Sequence, residues 1–68
     1  MKRKLHPEFR ECFNLSDVRV RELARAIDMP ATTLGRVMAA PEVRTTPLVM
    51  TRLKTLAGLL HYAGALFR

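Results

Sequence analysis

RELARAIDMPATTLGRVM, residues 21–38, is the stretch on which the fold turns. With Val20 just upstream, Leu23, Ala24 and Ile27 recur at i, i+3, i+4 and i+7, the stripe of a helix with one buried side. Arg19, Arg21, Glu22 and Arg25 fall outside that stripe. Leu34, Val37 and Met38, with Ala31 close by, mark the buried side of another helix, and Pro41 stops it. The spacing predicts helices over 18–27 and 31–39, with only Asp28-Met29-Pro30 between them. Helices joined so tightly cannot lie flat and antiparallel; they cross steeply, as in a helix-turn-helix. Ala24 then sits where the two approach most closely, Met29 plugs the turn, and Leu34 and Val37 anchor the second helix to the first.

Upstream, Asn14, Ser16 and Asp17 form a break with capping chemistry. Pro7 suits the first turn of a helix, and Glu8 and Glu11 favour the positive end of its dipole. Phe9 and Phe13 share one face, with Cys12 beside them as a small core residue. A helix over 7–15 is expected, preceded by a flexible basic arm over 1–6. Downstream, PEVRTTP, residues 41–47, reads as a loop. Val49, Leu53, Leu56, Leu60, Ala63 and Phe67 then follow a heptad-like seam. Gly58 and Gly64 weaken a helix there by about 1 kcal/mol each relative to Ala. Residues 48–67 are therefore one long helix, or two that break near His61–Gly64. No strand-like alternation of useful length occurs, so the expected fold is all-α, with four or five helices in one domain over 7–68. Leu59, Tyr62 and Leu66 lie off the seam and leave the last segment apolar on more than one face. So small a chain has little to cover it with, and Leu56, Leu60, Ala63 and Phe67 are the candidates for a homodimer interface as well as for core.

The composition narrows the function. A chain of 68 residues with 49% hydrophobic residues is one small globular domain and not a disordered tail. Twelve Lys and Arg against six Asp and Glu leave a net charge of +6, which favours polyanions: nucleic acid first, an anionic membrane second. Cys12 is the single cysteine, and His6 and His61 have no companions at ligand spacing, so no metal, cofactor or small-molecule ligand is expected. The basic start has no apolar stretch of the kind a secretory signal needs. The longest apolar run, LAGLLHYAGALF, is 12 residues, too short for a bilayer span. These features predict a cytoplasmic protein with no membrane partner. No nucleophile–base pair, paired carboxylates or Gly-rich phosphate loop points to an enzyme.

RELARAIDMPATTLGRVM resembles the helix-turn-helix of bacterial and phage repressors, the lambda-repressor/Cro group in particular. It is also similar to the lac-repressor headpiece, a likeness that extends to Arg36-Val37 and to the L-x-Y of Leu60-His61-Tyr62. The match is specific over about 20 residues and loose over 7–66. One position departs from the pattern: Asp28 stands where the family usually has Gly in a left-handed backbone, a conformation Asp tolerates better than most residues. Pro30 is also less common there, although its fixed φ suits a helix start. The resemblance implies a lambda-repressor-like domain whose helix 31–39 enters the major groove of double-stranded DNA.

On that helix the family's base-reading positions map onto Ala31, Thr32 and Arg36. Arg36 is the leading candidate, because a guanidinium binds guanine O6 and N7 together. Thr32, Arg36 and Ala39 point away from the buried stripe, flanked by Thr33, Gly35 and Ala40, so the outer face is slim. Phosphate contacts are expected from Arg19, Arg21, Thr33, Arg44, Thr45, Thr46, Arg52 and Lys54, and no acid follows Glu42. The arm Lys2-Arg3-Lys4 reads either as a minor-groove contact or as a solvated basic cluster. The expected function is a small sequence-specific transcriptional regulator, a repressor that binds a palindromic operator as a dimer. The competing expectation is a helical protein-interaction module, antitoxin-like or an adaptor, without sequence-specific DNA binding.

Overall fold

Four helices and a short sheet make up the chain, all 68 residues of which are described by a computed structural model. The helices are α1 (Pro7–Asn14), α2 (Val20–Ala26), α3 (Ala31–Ala39) and α4 (Pro47–Leu59). Strand β1 (Lys2–Arg3) pairs antiparallel with β2 (Val43–Arg44). The fold is mostly helical and not purely all-α. No helix is long and apolar enough to cross a membrane.

Local chemistry explains where the helices begin. Pro7 opens α1, and the His6 imidazole caps it by accepting the Glu8 N–H at Nδ1 (3.2 Å). Pro47 opens α4, and the Thr46 hydroxyl accepts the Val49 N–H (3.3 Å). In both, proline occupies a position whose N–H has no partner inside the helix.

The corner between α2 and α3 is closed by the backbone. Asp28 takes φ +57°, in the left-handed region, as expected for that position. Its N–H donates to the Arg25 carbonyl (3.2 Å), and the Met29 N–H donates to the Ala24 carbonyl (2.9 Å). This pair of bonds, one closing over the other, is the Schellman ending of a helix. Met29 is buried where it plugs the turn, and α2 and α3 pack against each other. Val20 departs from its expected stripe: it lies in the first turn of α2, and the buried face begins at Leu23.

The core gathers Phe9 from α1, Leu23 and Ala24 from α2, Leu34 and Met38 from α3, and Leu53, Leu56 and Ala57 from α4. No polar or charged side chain is buried. Cys12 is half-buried, and its thiol donates to the Leu60 carbonyl (3.4 Å).

Both ends of the chain differ from expectation. Residues 1–6 are not a flexible arm. The Thr45 N–H donates to the Met1 carbonyl (2.8 Å), β1 pairs with β2, and Leu5 is buried opposite Phe67. One apolar residue and a short backbone ladder suffice to hold the arm down. Residues 60–67 are not helical either. His61 takes φ +55°, its N–H donates to Gly58 (3.1 Å), and the Tyr62 N–H donates to Ala57 (2.8 Å). A second Schellman ending therefore stops α4, and the tail turns back to pair with Lys4–His6. Gly64 serves that return: a Cβ there would lie 2.5 Å from the Tyr62 hydroxyl. The heptad-like spacing past Leu60 thus ends in a strand contact. As a consequence Leu56 and Phe67 belong to this chain's own core and are unavailable to a partner, whereas Leu60 is half-buried and Ala63 exposed.

Two outcomes test this description. Asp28→Gly removes the Cβ penalty of the left-handed turn and raises stability by about 0.5–1 kcal/mol, read as a higher melting temperature, while Asp28→Val lowers it. Tyr62, half-buried with its ring centroid 5.2 Å from that of Phe9, is held above the ordinary 10.0 by burial, then by the Glu8 carboxylate and Cys12. The folded state therefore keeps the phenol proton longer than the unfolded state. The stability this gives is complete below pH 10.0 and is lost as pH rises through the folded pKa. As the only tyrosine in a chain without tryptophan, Tyr62 gives a clean ultraviolet titration, with a midpoint that falls to its ordinary value in denaturant.

Candidate nucleic-acid interface

The surface of α3 divides as its periodicity requires. Leu34 and Met38 are buried, Ala31, Gly35 and Val37 are half-buried, and Thr32, Thr33, Arg36 and Ala39 are exposed. The exposed side has one long polar side chain, Arg36. Gly35 flanks it in mid-helix, and a Cβ there would meet nothing within 4 Å. Packing within the chain therefore does not require a glycine, although it costs the helix about 1 kcal/mol relative to Ala. Gly58, in the last turn of α4, is equally open.

A cleft lies at each end of α3. At the N-terminal end, Arg19, Val20, Arg21, Glu22 and Ala31 line an open cleft of about 450 Å³. Neither α2 nor α3 has a side-chain cap: Arg19 and Pro30 hold those positions without bonding to the first-turn N–H groups. At the C-terminal end, Arg36 and Arg44 face a shallower cleft of about 200 Å³, over a floor that includes Val37, Val43 and Val49. Glu42 also lines it and is the one carboxylate there. The pairing of β2 with β1 is what carries Arg44 to this place. The nine residues of α3 span about 13 Å between the two clefts.

The remaining expected contacts divide. Thr33 is exposed at the start of α3, beside Thr32. The Thr45 hydroxyl is committed to the Met1 carbonyl (2.9 Å), and the Thr46 hydroxyl serves as the cap of α4. Arg52 and Lys54 lie on α4 and line neither cleft. Two positions are two steps apart, about 200° around a helix, so they do not share a face. Arg10 carries a role that the sequence reading missed. From α1 it donates to the carbonyl of Ala40, the residue that ends α3, and so sets a positive charge at the negative end of that helix. The only sequence signal for this was an arginine on a helix otherwise read for its phenylalanines. No group of three or more His, Cys, Asp or Glu side chains converges on a point where a metal ion would sit.

Thr46 joins this surface to the core, because its cap fixes where α4 leaves the loop that bears Arg44. Thr46→Ala is expected to cost about 1 kcal/mol in chemical denaturation.

Compared with known protein families, curated proteins and solved structures, the chain matches none.

Proposed function

We propose that this chain is a small sequence-specific DNA-binding regulator, a repressor, in which α2, the Asp28 turn and α3 act as a helix-turn-helix of the lambda-repressor-like kind. The observation that carries the reading is the outer side of α3: a slim face with Arg36 as its one long side chain, flanked by a cleft with Arg19 and Arg21 at one end and by Arg44 across a cleft from Arg36 at the other. An α-helix about 10–12 Å across with its side chains fits a major groove about 12 Å wide, and the small residues of α3 keep it slim. In this reading Arg36 binds a guanine edge and Ala31 and Thr32 pass close to the bases. Arg19, Arg21 and Thr33 hold phosphates at the N-terminal end of α3, and Arg44 holds others at its C-terminal end. Gly35 supports the same reading, because a backbone without a side chain approaches a ligand closely. Repression follows from occupying a site that polymerase needs.

A palindromic operator calls for a two-fold dimer. Of the four residues expected at its interface, Leu60 and Ala63 are still accessible to a partner.

A specific observation favours a second reading, the protein-interaction module. Leu15, Val18 and Leu59 are among the most exposed large apolar residues, and they line one groove together with Cys12 and Leu60.

Selection of bound sequences from a random DNA pool separates the two. The DNA reading expects an enriched palindromic motif and a loss of about 1–3 kcal/mol on Arg36→Ala, with relaxed preference at one base position. It further expects Gly35→Ala to raise the melting temperature while weakening binding. No enrichment at moderate salt, with Leu15→Ser abolishing capture of a protein partner, would establish the second reading instead.

A further inference from the structure

The N-terminal strand continues past β1. Residues 1–3 pair with 43–45 on one side, and residues 4–6 pair with 66–68 on the other, through His6 N–H to Leu66 (2.8 Å) and Arg68 N–H to Lys4 (2.9 Å). Alternation along a strand then sorts its side chains. Leu5 faces the core opposite Phe67, and Arg3 lies on the same side, its guanidinium carbon 5.2 Å from the centre of the Phe67 ring. Lys2 and Lys4 take the outer side. There Lys2 stands directly opposite Arg44, and the register past the Leu5–Phe67 bridge sets Lys4 opposite Arg68. All four are exposed. Continued one step past the end of β2, the register brings the Glu42 carboxylate opposite Lys4, one acid against the four bases.

Like charges directly opposite one another destabilise a sheet. Here two such pairs occupy one face, about 7 Å apart along the strand. Lys4 and Arg68 also line a cleft of about 300 Å³ with Arg10, whose guanidinium is anchored on the Ala40 carbonyl. Five cations thus gather here: Arg10 is held by its bond to Ala40, but the Lys2–Arg44 and Lys4–Arg68 pairs give the fold nothing in return for their repulsion. An anion that bridges them removes the repulsion. Arg44 belongs to both surfaces, since it shares the cleft at the end of α3 with Arg36 and faces Lys2 across the sheet.

We propose that the outer face of the N-terminal strand, formed by Lys2, Lys4, Arg44 and Arg68 with Arg10 beside them, binds the phosphodiester backbone of the duplex that α3 enters. This rests on the DNA-binding reading and extends its footprint beyond α3. The contact reads charge and not sequence. It is made by a paired strand whose backbone is already ordered, so binding does not have to order a loose arm.

The test is a salt titration of the 68-residue chain binding to a 24-base-pair duplex of arbitrary sequence. Each phosphate contact contributes about 0.9 to the slope of log affinity against log salt. Lys2→Gln/Lys4→Gln together are expected to lower that slope by about 1.8, and the affinity by about 60-fold at 0.1 M salt. Arg3→Gln removes a charge from the same strand but from its other side, and is expected to leave the slope unchanged. The double variant is also expected to melt no lower than the parent, because it removes two like-charge pairs.

If the parent binds and Arg36→Ala weakens it while the double variant keeps the parental slope, this proposal fails and the role of α3 stands. An equal loss in Arg3→Gln overturns the assignment to the outer face. A lower melting temperature in the double variant contradicts the repulsion on which the proposal rests. A parent that binds no duplex at low salt overturns both readings.

Discussion

One left-handed residue governs the rest of the molecule. Asp28 reverses the chain in a single step, and the two backbone bonds that close over it end α2 while α3 is already beginning. Without that reversal Met29 does not reach the core, and Leu34 and Met38 do not meet Leu23 and Ala24. The outer side of α3 is left free, because the helix is held by Leu34 and Met38 on its inner side and by the Arg10 contact at its C-terminal end. Stability and exposure here come from the same geometry: the inner face holds α3 so firmly that the outer face needs no packing of its own.

The second constraint is the clasp formed by the two chain ends. A domain of this size buries a smaller fraction of its surface than a larger one does and gains from any link between distant segments. Met1–His6 runs between the segment that leads into α4 and the tail that leaves it, so the strand joins both ends of α4 to α1. His61 ends α4 as Asp28 ends α2, with the same pair of bonds. Two left-handed turns made without glycine thus define the fold, one making the corner and the other closing the clasp. The basic residues of the clasp divide between its faces: Arg3 lies over the Phe67 ring on the inner side, and Lys2 stands opposite Arg44 on the outer side.

The corner was legible in the sequence because its determinants are local. Apolar spacing, a tight joint and Asp28 lie within a stretch that a helical period explains. The ends were not legible, because their structure depends on partners far along the chain. Lys2-Arg3 has no apolar alternation to announce a strand, and it becomes one because Val43-Arg44 offers it a backbone. Phe67 continues an apolar period that suits a helix, yet its burial comes from pairing with Leu5. The candidate interface shows the same division. The exposure of Thr32 and Arg36 follows from the period of α3 alone, whereas the meeting of Arg36 with Arg44 required the sheet. The contact of Arg10 with Ala40 required the packing of α1 on the end of α3.

The central claim is that the outer side of α3, between its two arginine-lined clefts, is the surface that meets DNA. Titration of isotope-labelled protein with a duplex, followed through backbone amide resonances, tests it most directly. The account predicts that the largest shifts fall on Ala31–Ala39, with Arg19, Arg21 and Arg44 next, while Leu15, Val18 and Leu59 stay in place. Shifts concentrated on Leu15, Val18 and Leu59, with α3 silent, would contradict it.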